Sequence, residues 1–324
     1  MSRKPRLNAP GEFFHVMARG IDGMPIFKDD YDRIIILKYF AAGLKNADYR
    51  CYAWALMNNH YHFLLRSSEI LLDKLMRPLN ANYAQYYNKK YGRRGYLFQD
   101  RFKSIVTQDQ KYVEEIIRYI HLNPIRSGIC KTIRQLDVYR WTGHSVLLGN
   151  NEASFQDTKP VLKRFGKDIN AARKAYTAFI EEGIAAKDEP EIIREIRKSN
   201  NGILKNHDVG CWVIGDRDFV SKVLRADKDK RLRIARYHQD GWDLDQLLMH
   251  IAVKLAVPAD RILYPSRNSV FADARHLFCF LGYRELAFSA RNIADFLHIS
   301  PSAVYASSQK GRIISETLNE KLPI

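Results

Sequence analysis

Two consecutive aromatic, apolar runs constrain this chain most. They are Tyr49 to Met57 (YRCYAWALM) and His60 to Arg66 (HYHFLLR), and only the turn-like pair Asn58-Asn59 separates them. Runs of this length and composition, joined so tightly, predict an antiparallel hairpin. Around it the first half alternates. Glu12 to Arg19 reads as a strand, and Asp29-Asp30 open a helix to about Ala47. Leu71 to about Tyr91 reads as a helix, with Leu72, Leu75, Leu79 and Tyr83 at spacings of three and four. Gly92 and Gly95 bracket a basic turn, followed by an expected strand near Phe102 to Thr107 and a helix from about Gln110 to Leu122. Strands interleaved with helices, two of them consecutive, predict an α+β fold: a ferredoxin-like antiparallel sheet with flanking helices.

Past Asn150 the pattern changes. Residues 149–205 are charged and read as a helical connector, and 206–324 read as mainly helical with no strand expected. Phe271 to Leu286 and Ser289 to Leu297 read as helices, and Ser300-Pro301 opens another. A helix, a short turn and a helix that starts Ser-Pro predict a helix-turn-helix over about 274–314. The expected division is therefore 1–148, 149–205 and 206–324.

Charge separates the halves too. Lys and Arg outnumber Asp and Glu by 52 to 36. Up to residue 150 there are 24 basic and 13 acidic side chains, so that part holds +11 of the net +16. A polyphosphate partner is expected there. The chain contains no run of eighteen apolar residues and its start lacks the apolar stretch of a signal peptide, so a cytoplasmic protein with no membrane partner is expected. Cys51, Cys130, Cys211 and Cys279 are far apart and are expected to be reduced thiols.

Two segments carry candidate chemistry. In His60-Tyr61-His62 the two imidazoles share one face of a strand and make a divalent-metal half-site. The same spacing also suits two half-buried histidines of a sheet. In Arg118-Tyr119-Ile120-His121-Leu122-Asn123-Pro124, Tyr119 and Asn123 lie four apart on one helix face. A phenol so placed can attack a phosphodiester that a metal polarises. It also suits a core tyrosine before a helix-ending Asn-Pro, since Pro124 disfavours helical geometry at Asn123. His121 falls on the other side and reads as structural.

Met57 to Leu65 (MNNHYHFLL), Gly95 to Lys103 (GYLFQDRFK) and Tyr119 to Pro124 (YIHLNP), with the opening Arg3 to Arg6 and His15 to Gly20, resemble the REP-associated tyrosine transposases. These are relatives of the insertion-sequence transposases in the HUH superfamily. The resemblance covers about residues 1–148, and Asn58 stands where a proline is usual. It implies that His60, His62 and Asn123 bind Mg²⁺ or Mn²⁺, and that Tyr119 is the nucleophile that forms a 5′-phosphotyrosine. It further implies nicking and rejoining of single-stranded DNA at palindromic hairpin repeats, by a monomer or a homodimer. Arg3, Lys4, Arg6, Arg19, Lys89, Lys90, Arg93, Arg94, Arg101 and Lys103 are the expected DNA contacts, with Tyr86, Tyr87, Tyr91, Tyr96 and Phe98 interleaved among them. The C-terminal helices resemble the DNA-binding domain of replication initiators, which implies duplex contacts from Ser302 and Tyr305. The alternative is a catalytically silent regulator that grips hairpin DNA.

Overall fold

The computed structural model describes residues 7, 9–67, 70–186, 194, 212–266, 268–319 and 322. Arg3, Lys4, Arg6, Cys211 and most of the expected connector beyond residue 186 lie outside the described residues. The chain divides into two compact units, Met1–Leu224 and Arg225–Ile324.

The first unit runs β1 (Phe13–Arg19), α1 (Asp30–Ala47), β2 (Arg50–Leu56), β3 (His60–Arg66), α2 (Leu72–Lys90), β4 (Lys103–Thr107) and α3 (Asp109–Arg126). The strand order is β2-β3-β1-β4-β5, and the first four strands pair antiparallel. This is the expected α+β sheet with flanking helices. A fifth strand, β5 (Trp212–Ile214), adds in parallel beside β4 and was not anticipated. Its three residues are too few for a two-residue period to show.

Strand register assigns every side chain to a face, because opposed residues share one. The pairs His15↔Leu64, Met17↔His62 and Arg19↔His60 put three histidines on one face. Tyr61, Phe63, Phe14 and Val16 take the other. That second face is aromatic and dry: Phe40 of α1 stacks on Phe63 at 3.9 Å, and Tyr61 donates to Asn80 of α2. The start of α1 is fixed by a capping box between Asp29 and Asp32. Lys90, at the end of α2, bonds both carboxylates at 2.7 and 2.8 Å and ties the two helices together.

The histidine face is covered by α3. This helix continues through Pro124 to Arg126 and does not stop at Asn123. So close to a helix end, proline removes a single N–H from the ladder. Ser127 N–H donates to Asn123 O and Cys130 N–H to Pro124 O, both at 2.9 Å, which closes the final turn.

The core of this unit extends past residue 148. Short helices α4 (Ile133–Asp137), α5 (Gly143–Leu148) and α6 (Thr158–Leu162) lead to α7 (Ile169–Ala185). Val161, Leu162, Ala172, Tyr176, Ile180 and Ile214 share one apolar cluster with Ile116, Ile117 and Ile120 of α3. Trp54 donates to Gln156 at 2.9 Å and Thr142 donates to Trp54 O at 3.2 Å, so the outer edge of β2 is covered.

The division between the units falls inside α8 (Arg217–Gln239). The second unit continues with α9 (Leu244–Lys254), α10 (Ala259–Leu263), α11 (Ser269–Phe280), α12 (Ala290–Leu297) and α13 (Pro301–Leu318). The helix expected to reach Leu286 ends at Phe280 and passes into a π-helical turn, Leu281–Glu285. α11 and α13 meet at backbone contact: a Cβ on Gly311 would stand 2.0 Å from His276 O. Buried Arg275 donates to Ile262 O at 2.8 Å and Leu297 O at 3.1 Å, pairing carbonyls near the ends of α10 and α12. Between α12 and α13 the chain turns through left-handed His298 (φ 55°), then Ser300 caps α13 and Pro301 begins it. Among the described residues no helix is long and apolar enough to cross a membrane. Cys51, Cys130 and Cys279 are buried free thiols, and burial raises the pKa of each.

Candidate active site

A cavity of about 390 Å³ opens where the histidine face meets α3. It is lined by Met17, Ala18, Arg19, His60, His62, Gln99, Asp100, Arg101, Lys103, Tyr119 and Asn123. His60, His62, Tyr119 and Asn123, singled out in two segments some sixty residues apart, therefore share one space.

Each imidazole has one nitrogen occupied. Asn59 donates from Nδ2 to Gly23 O at 2.9 Å, which fixes its amide so that Oδ1 faces His60 Nδ1 at 2.7 Å. A carbonyl oxygen only accepts, so the His60 proton sits on Nδ1 and Nε2 carries a bare lone pair. His62 Nδ1 lies 2.9 Å from Nε2 of His15, which leaves Nε2 of His62 for the cavity. Burial, and after it the charge of Arg19, lowers the His60 pKa to about 4. Burial alone lowers His15 to about 3. Burial, then His60 and His15, push His62 well below its ordinary value. All three rings are neutral near pH 7, the form that binds metals.

Tyr119 is 7% exposed, and its ring meets those of His15 and His62 edge-on, each at 5.8 Å. The Arg126 guanidinium stands 5.4 Å from its ring centre. One turn on, Asn123 donates from Nδ2 to Tyr119 O at 2.7 Å, which engages its amide nitrogen and not its oxygen. His121 points away from the cavity. Buried among α5 and α7, it bonds Tyr176 Oη at 2.8 Å.

The basic rim is built by a returning loop. Ile21 N–H donates to Leu97 O and Gln99 N–H to Arg19 O, which lays Gln99 to Arg101 along the end of β1. The turn beside it needs Gly20, because a Cβ there would stand 2.2 Å from Met24 O. Arg19, Arg101 and Lys103 thus reach the cavity. Lys89, Lys90, Arg93 and Arg94, at the end of α2 and the turn after it, do not line it. Lys90 is bonded to Asp29 and Asp32, and Arg93 lies over the Tyr87 ring. Of the interleaved aromatics Tyr87 is core, whereas Tyr96 is 84% exposed. Ser302 and Tyr305 sit on α13 of the second unit, Ser302 exposed and Tyr305 edge-on to Tyr283 at 5.3 Å.

Residues that sequence reasoning gave no role are His15, Gln99 and Asp100. The last two fall inside the Gly95–Lys103 segment already singled out. His15 gives no HxH signal, and only the β1–β3 register brings it to His62.

Residues 13–123, about a third of the chain, match the family model described as "Transposase IS200 like". A solved structure of a REP-associated tyrosine transposase bound to a REP hairpin shares 13% identity with the chain. It covers 48% of this chain and 98% of its own, with a TM-score of 0.37. No curated protein matches the sequence.

Proposed function

We propose, from the match of residues 13–123 to the family model described as "Transposase IS200 like", that this chain nicks and rejoins single-stranded DNA beside palindromic, REP-like hairpins. One observation carries the reading: Tyr119, two neutral imidazoles with available Nε2 atoms and the Asn123 amide oxygen line the same cavity.

Two imidazole nitrogens and an amide oxygen, completed by phosphate oxygens and water, suit a divalent ion. Asn123, which lines the cavity with both imidazoles, is the third protein ligand of this reading. Mg²⁺ or Mn²⁺ held by His60, His62 and Asn123 would polarise the scissile phosphate and offset its developing charge. The chain's own groups do the rest. Tyr119 Oη forms the bond to phosphorus, the bond from phosphorus to the 3′ oxygen breaks, and a 3′-hydroxyl and a 5′-phosphotyrosine result. Attack on the phosphotyrosine by a 3′-hydroxyl reverses the step and joins strands. Arg19, Arg101 and Lys103 neutralise flanking phosphates without reading their sequence. In the second unit, α12 and α13 supply a helix pair for duplex contacts, with Ser302 and Tyr305 at its front.

The test is incubation of a hairpin oligonucleotide with the protein and Mn²⁺, followed by a denaturing gel. A covalent adduct is expected from the wild type and none from Tyr119→Phe, with hairpin affinity nearly unchanged. An adduct that persists in Tyr119→Phe contradicts the proposal. A wild type that binds the hairpin but forms no adduct supports the silent regulator instead.

A further inference from the structure

The proposed chemistry leaves one imidazole of the histidine face without a role. His15 is fully buried on β1, and its ring stacks on His62 with centroids 5.1 Å and planes 23° apart. The same ring meets Tyr119 edge-on at 5.8 Å. Its Nε2 lies 2.9 Å from His62 Nδ1, while its Nδ1 has no hydrogen-bond partner. The hydrogen bond of this side chain is therefore directed at His62.

A neutral imidazole has one N–H and one lone pair, and a ring that ligates through Nε2 must carry its proton on Nδ1. At His60 that choice is imposed by Asn59, whose carbonyl oxygen cannot donate. At His62 the partner is a second imidazole, which accepts through Nε2 only when its own proton is on Nδ1. The two rings must therefore adopt one joint arrangement before His62 can serve as a ligand.

We propose that His15 is a positioning residue of this site: its Nε2 accepts the Nδ1–H of His62, which presents His62 Nε2 bare to a divalent cation and holds that ring edge-on to Tyr119. This rests on the reading of His62 as a ligand. No hydrogen bond at His15 Nδ1 imposes the opposite tautomer, and the proposed arrangement leaves that buried N–H unpaired, a cost that the His62 contact must offset.

The experiment has two arms on the full chain. In the first, long-range ¹H–¹⁵N NMR of the imidazoles is recorded with saturating Mg²⁺. Both His15 and His62 are expected as Nδ1–H tautomers; an Nε2–H His15 in the loaded protein overturns the proposal, and an Nε2–H His62 overturns the reading of His62 as a ligand. In the second, Mn²⁺ is titrated into the wild type, His60→Ala, His15→Phe and His15→Gln without DNA. Loss of an outer partner of a ligating histidine lowers metal affinity by about 10- to 100-fold, and His15→Phe is expected to fall by that factor. His15→Gln, whose amide oxygen can replace the acceptor, should recover most of it. Both variants should bind the hairpin in EDTA as the wild type does. If His15→Phe binds Mn²⁺ like the wild type, or if Gln falls as far as Phe, His15 has no positioning role. If the wild type takes up no Mn²⁺, or His60→Ala binds it unchanged, the metal reading itself fails and this proposal with it. Should His15→Phe not fold, judged by near-UV circular dichroism, the NMR arm decides alone.

Discussion

The two faces of the five-stranded sheet are written by alternate residues of the same strands, yet they obey opposite rules. On one face Phe63 stacks under Phe40 and Tyr61 bonds Asn80, so apolar area is removed from water and the polar tip is paired. On the other, His60 and His62 line a cavity with Lys103 and Arg19, and His15 lies buried against His62 with its Nδ1 unpaired. Burying imidazoles there stabilises nothing by area; it keeps them neutral and their lone pairs available. The contrast teaches that β3, as His60-Tyr61-His62-Phe63, carries site and core in a single two-residue period.

That contrast can be broken one residue at a time. The largest effect is expected from His62→Ala: adduct formation with hairpin DNA should fall to background on a denaturing gel, while the protein still unfolds cooperatively. Its neighbour should behave in reverse. Phe63→Ala removes a fully buried ring from the dry face and should cost about 3–5 kcal/mol in urea unfolding. The Phe63→Ala protein that does remain folded should still form the adduct. If both substitutions damage stability and chemistry equally, the two faces are not separable.

Acid should sharpen the comparison through stability rather than through chemistry. His15, His60, His62 and His121 all have pKa values pushed down by burial, to about 3 for His15 and about 4 for His60. The unfolded chain, with imidazoles near 6.5, binds more protons in that window, so stability rises with pH up to about 6.5 and falls below it. The expected loss is about 1.4 kcal/mol per pH unit for each such histidine between pH 6.5 and its folded-state value. Urea titrations at pH 7 and pH 5 measure it, and equal stability at both would contradict the burial of neutral rings.

Much of the first unit was legible because its periods are clean. The Asp29-Asp30 pair, the Asn58-Asn59 turn and the aromatic, apolar runs on either side of it put α1, β2 and β3 within a residue or two of where they lie. Both segments of the candidate site follow from the same logic, i to i+2 on a strand and i to i+4 on a helix. Three things were not legible, each for a physical reason. β5 is three residues long and owes its state to pairing with β4 rather than to any pattern of its own. Pro124 sits so near the end of α3 that the helix tolerates it. His15 and Lys90 depend on partners 47 and 58 residues away, reached only through strand register and helix packing. Lys90 illustrates the limit of reading charge alone, since its ammonium is held by Asp29 and Asp32.

The most direct test of the central claim is to digest the covalent adduct with protease and map the nucleotide by mass spectrometry. The account predicts a 5′-phosphonucleotide on Tyr119 alone, in the peptide that also carries Asn123. A nucleotide on another tyrosine, such as Tyr112 on the same helix, would contradict it.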